Sequence, residues 1–514
     1  MLFNSLLFVF AFLPVSLLGY FAAARFGRRP AAMWLVVVSF VFYGWWNPAF
    51  VPLLMISIAV NYGLGHFIAA QEERPGLQTA LVTLAVVLNL GALAYYKYLF
   101  VLLVWLHGAG WIDTALSSPA LPLGISFFTF TQLGYLMDVR QGATRDQGLL
   151  NYLVFVTFFP HLIAGPILHN REMMPQFADP KIYRFSSSSL SVGLSIFTIG
   201  LLKKCLLADP ISAAIGRGFD APGMLSTFAS WDVALSYSMQ LYFDFSGYSD
   251  MAIGLARMFN VRFPVNFNSP YKSASIIEYW QRWHMTLTRY LTLYLYNPIS
   301  LSIARRRIVA GKGASRAAYA TIGGFSAMVL VPTFVTMGLA GVWHGAGLQF
   351  LIFGLLHATY LTVNHAWRIV RRKTPARQTP WHTHAANVLL TYLCVLVGAV
   401  FFRSSSTSAA LQMLSGMIGL HGAGMPGAYG DALDVHLGLE GRLWLLCLFA
   451  IALFAPNCQQ IMRNFEPILE KVTPGPMTVL AWRPSLAWAG LLGAAAAVAI
   501  MAMGGSTEFL YFQF

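Results

Sequence analysis

The amino-acid sequence predicts an all-α membrane protein whose chain crosses the bilayer many times. Of its 514 residues, 57% are hydrophobic and only 10% are charged, whereas about a quarter of a soluble domain is charged. Many uncharged runs approach or exceed the ~20 residues that a helix needs to cross the hydrocarbon core. Neither a soluble domain nor an internal repeat is recognisable. We therefore expect residues 1–514 to form a single multi-span membrane domain.

The apolar runs predict about 10–13 membrane segments, judged against the length of a spanning helix. Runs near 99–110, 151–168 and 443–455 are short, and we expect some of them to be re-entrant or interfacial, which lipid permits only where protein satisfies the backbone. In chain order the apolar runs are 1–23, 33–46, 50–70, 80–96, 99–110, 120–137, 151–168, 187–207, 231–256, 285–304, 319–341, 347–366, 385–402, 443–455 and 486–505.

The net charge of +14 lies largely in short loops between apolar runs. The densest basic clusters are 25–29, 304–307 and 368–377, and such juxtamembrane clusters are typical of cytoplasmic loops. We therefore expect membrane lipids as neighbours and no nucleic-acid partner. The cysteines have no paired spacing, so they predict neither a metal site nor a disulfide framework; they are Cys205, Cys394, Cys447 and Cys458.

Polar side chains at membrane depth are the first candidates for catalytic or binding residues, because burying them in the membrane costs free energy. In the run 236–259, a helical reading places Ser236, Gln240, Asp244 and Tyr248 on one face. This stripe is either a hydrogen-bonded seam between helices or the lining of a substrate cavity. Gln240, Asp244 and Tyr248 are therefore candidate substrate-binding residues.

A second candidate is His284, in the stretch "EYWQRWHMTLTRYL" (278–291). Ser273 and Glu278 predict a helix that begins near 273–276, which places His284 two to three turns into it. An isolated histidine in an aromatic helix is often a core residue. Its neighbours Arg282 and Trp283 are instead typical of a surface that binds an anion or lies at headgroup level.

The third candidate is His344, in the glycine-rich stretch "GLAGVWHGAG" (338–347). Small residues let a helix or a ligand approach the backbone closely, and Trp343 offers a flat apolar surface beside the imidazole. A neutral histidine is suited to take a proton from a hydroxyl during acyl transfer. His357 follows 13 residues later, which at ~100° per residue turns it away from His344; we interpret it as structural.

These stretches resemble the membrane-bound O-acyltransferase family, in its bacterial branch similar to alginate O-acetyltransferases. The resemblance extends from about residue 40 to 367, and its motifs occur in the order of the family. In this sequence they are "FYGWWNP" (42–48), "LPLGISFFTFTQLGYLMDVRQG" (121–142), "FFPHLIAGPILHN" (158–170), "YFDFSGYSDMAIGLARMF" (242–259), "FPVNFNSPY" (263–271), "EYWQRWHMTLTRYLTLYLY" (278–296) and "GVWHGAGLQFLIFGLLH" (341–357).

The resemblance implies an α-helical transferase of the bacterial inner membrane, with two hallmark histidines in a central channel. These histidines correspond to His284 and His344, and the latter is taken as the principal catalytic residue of the family. Acetyl-CoA is the implied acyl donor, with no tightly bound cofactor. The implied acceptor is an extracytoplasmic polysaccharide, reached through an extracytoplasmic, esterase-like partner protein. The stretch 295–308 lacks the Gly-Gly-Asn-Arg sequence of alginate-type members. The resemblance therefore does not indicate which polysaccharide is the acceptor.

Two mechanisms and several functions remain open at this stage. His344 acts either as a general base or as the transient acyl carrier, while His284, Asp244 or Tyr248 orients the acceptor or stabilises the oxyanion. The alternatives to acetyl transfer are D-alanyl transfer to a cell-wall polymer and acylation of a lipid. A transporter or flippase would also need intramembrane polar residues, but the chain lacks the duplicated halves that many transporters have.

Overall fold

The computed structural model describes residues 1–112, 120–144, 148–371, 380–422, 438–472 and 480–503. Within these ranges the ordered segments are helices, and no β-strand occurs among them. The predicted all-α fold class is confirmed. Residues 372–377 of the third basic cluster and residues 504–505 of the last apolar run lie outside the described residues.

Contacts between residues separate the chain into two units, which we describe one at a time. Within the described residues, unit 1 comprises Met1–Cys205, Ser246–Val265 and Cys458–Gly505, and unit 2 comprises Leu206–Phe245 and Asn266–Asn457. The predicted single domain over 1–514 stays a prediction, because these contacts do not test it.

Unit 1 consists of helices of very different lengths. Its core includes aromatic side chains from three segments in contact with one another: the ring centroid of Phe42 lies 5.6 Å from that of Phe3 and 5.4 Å from that of Phe159. The α-helices that lie wholly in this unit are α1 (Leu13–Ala24), α2 (Arg28–Gly44), α3 (Val51–Ala69), α4 (Pro75–Ala94), α5 (Phe100–Gly108), α6 (Ile125–Arg140), α7 (Leu149–Thr157), α8 (Phe159–Leu162), α9 (Asn170–Ala178), α10 (Ser187–Leu202), α23 (Cys458–Ile461) and α24 (Leu486–Met501).

Unit 2 contains the predicted histidine motifs. Its core is a buried apolar cluster that includes Tyr237, Trp280, Met337 and Leu396. Its helices are α11 (Ser212–Asp220), the first part of α12 (Thr227–Met258), α13 (Ile276–Trp280), α14 (Met285–Leu291), α15 (Asn297–Val309), α16 (Arg316–Tyr319), α17 (Ile322–Phe325), α18 (Val331–His344), α19 (Leu348–Arg371), α20 (Trp381–Arg403), α21 (Thr407–Met417) and α22 (Leu439–Phe454).

Short π- and 3₁₀-helical segments connect or extend several α-helices. The π-helical segments are Phe8–Phe12, Tyr95–Leu99, Lys203–Ala208, Thr292–Tyr296 and Ser326–Leu330. The 3₁₀ segments are Pro48–Phe50, Pro180–Tyr183, Asp209–Ile211, Pro222–Met224, Pro270–Lys272 and Arg463–Phe465.

Five helical stretches of the described chain are long and apolar enough to cross a bilayer, judged by length and composition alone: Pro48–Ala69, Pro75–Gly108, Ser187–Ile211, Ile322–His344 and Trp381–Arg403. Two shorter apolar helices, Phe8–Ala24 and Leu486–Met501, have a similar composition. Helices α12 and α19 contain 32 and 24 residues, but neither is among the apolar candidates. The predicted number of 10–13 segments stays a prediction.

Helices α18 and α19 of unit 2 pack at a distance that only glycine allows. A Cβ atom on Gly341 would lie 2.3 Å from the carbonyl oxygen of Phe350, and one on Gly354 would lie 2.2 Å from that of Met337. The chain reverses between the two helices at residues 345–347. The predicted close approach of another helix to this glycine-rich stretch is therefore present, and the approaching helix is the next one in the chain.

We expect the substitution Gly341→Ala to destabilise unit 2, because its methyl group would overlap backbone atoms that have little freedom to move. Overpacking of this kind typically costs about 1–3 kcal/mol. Gly323→Ala is the matched control, since a Cβ there meets no atom within 4 Å. The measurement is thermal unfolding of both variants in detergent. An unchanged transition temperature for Gly341→Ala would contradict the close packing of α18 on α19.

Candidate active site

The predicted histidines of unit 2 line one small cavity. It has a volume of about 50 Å³, and His284 and His344 share its wall with His357. One water molecule needs about 10–15 Å³ of such a cavity, so the cavity has room for roughly three to five heavy atoms. The other lining residues are Leu241, Asp244, Phe245, Tyr271, Tyr279, Trp280, Trp283, Leu287, Phe353, Val395, Ala399 and Phe402.

His284 lies at a break between two short helices. The prediction that it lies inside a continuous helix is wrong: α13 ends at Trp280, and His284 precedes α14 with φ 42° and ψ 51°. This left-handed conformation is uncommon for a residue other than glycine and costs of order 1 kcal/mol or more. The break arises because the non-helical stretch before α13 pairs with it, through Met285 N–H to Asn266 O at 2.9 Å and Asn268 N–H to Arg282 O at 2.9 Å.

The side chain of Asn266 fixes the orientation of the His284 ring. Its Oδ1 atom accepts hydrogen bonds from the hydroxyl of Thr286 at 2.9 Å and from the Thr286 N–H at 3.3 Å, and it lies 3.0 Å from His284 Nδ1. An atom that accepts from a backbone N–H is the amide oxygen, so His284 Nδ1 must donate to it. In the neutral ring, the lone pair is therefore on Nε2.

Burial also keeps the His284 ring neutral. The residue lies outside the candidate membrane-spanning helices and is 2% exposed. Burial lowers the pKa of its imidazole to about 3, because a charged ring would lose its hydration. The ring is therefore neutral near pH 7, and Nε2 is the nitrogen able to accept a proton or a hydrogen bond.

His344 is the last residue of α18 and is packed among aromatic rings. Its ring centroid lies 4.9 Å from that of Phe402 and 6.0 Å from that of Phe353. At the start of α19, Gln349 Nε2 donates to the carbonyl oxygen of Ser405, just beyond the end of α20, at 3.2 Å. These contacts hold the imidazole at the cavity wall, where its exposure is 7%.

His357 also faces the cavity, and the prediction that it turns away from His344 is wrong. That prediction treated 337–367 as one continuous helix. The reversal at 345–347 instead folds α19 back along α18, so that Phe353 contacts both histidines, with its ring centroid 4.7 Å from that of His357. The sequence signal that could have revealed this is the run of small residues around His344.

Of the predicted polar stripe on α12, only Asp244 lines the cavity. Ser236 and Gln240 are buried in unit 2 but do not line it. Tyr248 belongs to unit 1, where its ring stacks on Phe3 with centroids 4.7 Å apart and an interplanar angle of 15°. The regular spacing thus identified a buried face of α12. Of the four residues on that face, Asp244 is the one that lines the cavity.

The remaining predicted binding residues surround the histidines in different ways. Trp283 lines the cavity. Trp343 lies beside it, with its ring centroid 4.8 Å from that of His344. Arg282 is about one-third exposed and forms an ion pair with Glu278 at 2.7 Å, so its charge is already partnered outside the cavity. Substrate binding by Gln240, Tyr248, Arg282 and Trp343 stays a prediction.

Comparison with known proteins identifies the family. The sequence profile of the membrane-bound O-acyltransferase family matches residues 77–311. The peptidoglycan O-acetyltransferase of Helicobacter pylori is 38% identical over 463 residues, which cover 83% of this chain and 81% of the relative. The chain belongs to the membrane-bound O-acyltransferase family. This confirms the predicted family. It also confirms that the protein is an acyltransferase whose chain crosses the membrane several times.

Two other relatives of this acyltransferase differ in the group they transfer. The probable alginate O-acetylase of Azotobacter vinelandii is 36% identical over 423 residues, with 81% of this chain and 78% of the relative covered. The teichoic acid D-alanyltransferase of Bacillus subtilis is 28% identical over 284 residues, with 54% of this chain and 68% of the relative covered. The relatives named for O-acetyl transfer are thus similar over more of the chain than the relative named for D-alanyl transfer.

We expect Asn266→Leu to reduce turnover of this acyltransferase, because His284 would lose the acceptor that orients its ring. Each buried donor left without a partner also costs about 1–3 kcal/mol of stability. Asn268→Leu is the control, since the Asn268 side chain accepts instead from Asn457 Nδ2 at 2.9 Å. Turnover per folded molecule is measured for both. Equal rates would show that the orientation of His284 does not depend on Asn266.

Proposed function

We propose that the chain transfers acetyl groups from acetyl-CoA at the cytoplasmic side of the bacterial inner membrane, for O-acetylation of an extracytoplasmic polysaccharide. The observation that carries this proposal is the small cavity that contains His284, His344 and Asp244. An acetyl group has three heavy atoms, which fits a cavity with room for roughly three to five. The names of the two O-acetyl-transferring relatives support the same acyl group and an acceptor of this class.

His344 serves as the general base in the proposed reaction. It takes the proton of an acceptor hydroxyl while the hydroxyl oxygen attacks the thioester carbonyl carbon. His284 receives the hydroxyl first: its Nε2 lone pair accepts the hydrogen bond of the single O–H group, which then turns to His344 when the proton is taken. Asp244 lies in the wall of the same cavity and helps to orient the acceptor. The sulfur then leaves with the proton that His344 took, which regenerates the neutral ring.

The size of the cavity also supports a second protein as the proposed acceptor. A polysaccharide chain does not fit into a space of about 50 Å³, whereas an acetyl group does. The described part of the chain contains helices and turns and no separate soluble fold that would hold a polymer. An extracytoplasmic, esterase-like partner would receive the acetyl group and pass it to the polysaccharide.

We expect His344→Ala to reduce acetyl transfer by about 10²–10⁴-fold, the usual effect of losing general acid–base catalysis. His284→Ala is expected to reduce turnover as well. The measurement is incorporation of radiolabelled acetyl groups into polysaccharide by membranes that contain equal amounts of each protein. Gel filtration of the variants controls for folding. Near-normal incorporation by folded His344→Ala protein would refute its role as the base.

We also expect the purified chain in vesicles to acetylate no polysaccharide on its own. In this experiment acetyl-CoA is supplied at the cytoplasmic face and polysaccharide at the other face. Transfer should begin only when extracytoplasmic proteins of the host bacterium are added. Polymer acetylation at full rate by the chain alone would refute the relay and leave a self-sufficient transferase. Vesicles that carry His344→Ala protein serve as the blank.

A further inference from the structure

His357 lines the cavity but has no role in the mechanism proposed above. It lies in the middle of α19, is 1% exposed and lines the cavity beside His284 and His344. The indole N–H of Trp280 donates a hydrogen bond to His357 Nδ1 at 3.2 Å. An indole nitrogen donates and never accepts, so Nδ1 must be the acceptor. The proton of the neutral His357 ring is therefore on Nε2, the opposite assignment to His284.

His357 Nε2 lies against α20 at Gly398, where a larger residue would not fit. A Cβ atom on Gly398 would lie 2.7 Å from Nε2, closer than a side chain is normally tolerated. The ring is held on its other sides by aromatic neighbours: its centroid lies 5.1 Å from that of Trp280, 4.7 Å from that of Phe353 and 5.8 Å from that of Tyr360. The direction of the Nε2–H bond is thus fixed by packing and by the Trp280 hydrogen bond.

We propose that His357 is a third catalytic histidine, which donates a hydrogen bond from Nε2 to the carbonyl oxygen of the acyl group. The inference rests on the proposed acetyl transfer and adds the group that stabilises its oxyanion. When the acceptor oxygen bonds to the carbonyl carbon, the electron pair of the C=O bond moves to oxygen, and His357 Nε2–H stabilises the charge. The pair returns when the carbon–sulfur bond breaks, and His357 keeps its proton throughout.

The two fixed tautomers give the cavity complementary polar groups. His284 offers a lone pair, which suits the incoming hydroxyl, and His357 offers an N–H, which suits the carbonyl. A donor that is already oriented in a dry site acts on the developing charge without reorganisation.

The test replaces His357 by Leu, which removes the donor, and by Gln, which restores an N–H. Removal of one oxyanion donor lowers kcat by about 10²–10³-fold. We therefore expect this loss for His357→Leu, with KM and the shape of the pH–rate profile unchanged because His357 does not titrate in the reaction. His357→Gln should recover part of the rate. His365→Gln, on the same helix and away from the cavity lining, is the matched control.

Trp280→Phe provides a second test that keeps an aromatic ring and removes the indole N–H together with the rest of the pyrrole ring. It should lower kcat, because His357 then loses the hydrogen bond that keeps its proton on Nε2. If His357→Leu does not fold, this variant and His357→Gln decide the question. Wild-type kcat for Trp280→Phe, or a folded Gln variant no better than the Leu variant, would overturn the role of His357 as a donor.

The assay separates this inference from the proposed function. Inside-out membrane vesicles from the host bacterium receive radiolabelled acetyl-CoA, and label in the polysaccharide is measured. Absence of any transfer by the wild type, compared with vesicles from a deletion strain, would refute the proposed function. Transfer by the wild type together with equal transfer by folded His357→Leu would leave the proposed function intact and refute the present inference alone.

Discussion

The close packing of α18 on α19 is the constraint on which the arrangement of the histidines depends. Gly341 and Gly354 let the two backbones meet where any side chain would overlap a carbonyl oxygen. His344 ends one of these helices, and His357 lies in the other. Because the chain reverses within three residues, two histidines 13 positions apart in sequence reach the same cavity. A longer connection or a wider helix separation would place them on different surfaces.

The histidine motifs were visible in the sequence, but their geometry depended on contacts from elsewhere in the chain. The glycine-rich setting of His344 and the irregular stretch before α13 were both predicted from residue type. The left-handed conformation of His284 was not, because it depends on Asn266, 18 positions earlier, whose side chain and backbone bind the 284–286 turn. Local propensity favours a helix through 276–291, and the longer-range pairing overrides it.

The polar stripe on α12 shows what the spacing of residues can and cannot predict. A spacing of four residues correctly grouped side chains that are all buried, since Ser236, Gln240, Asp244 and Tyr248 are each at most 3% exposed. It could not indicate where along the helix the neighbouring segments leave a space. Only Asp244 lies at that level. Periodicity predicts which face of a helix is covered, whereas a cavity depends on the shapes of the segments that cover it.

Neutral imidazoles suit this cavity better than permanently charged groups would. Burying an isolated charge costs several kcal/mol or more in a site with few water molecules, and a protonated histidine would also have no lone pair to offer. Hydrogen bonds to Asn266 and from Trp280 instead fix the tautomers of His284 and His357 without adding charge. The cavity therefore presents one acceptor and one donor in fixed directions before any substrate enters. Charge then develops only during transfer, on the carbonyl oxygen and on the base, where the same dry surroundings strengthen each hydrogen bond made to it.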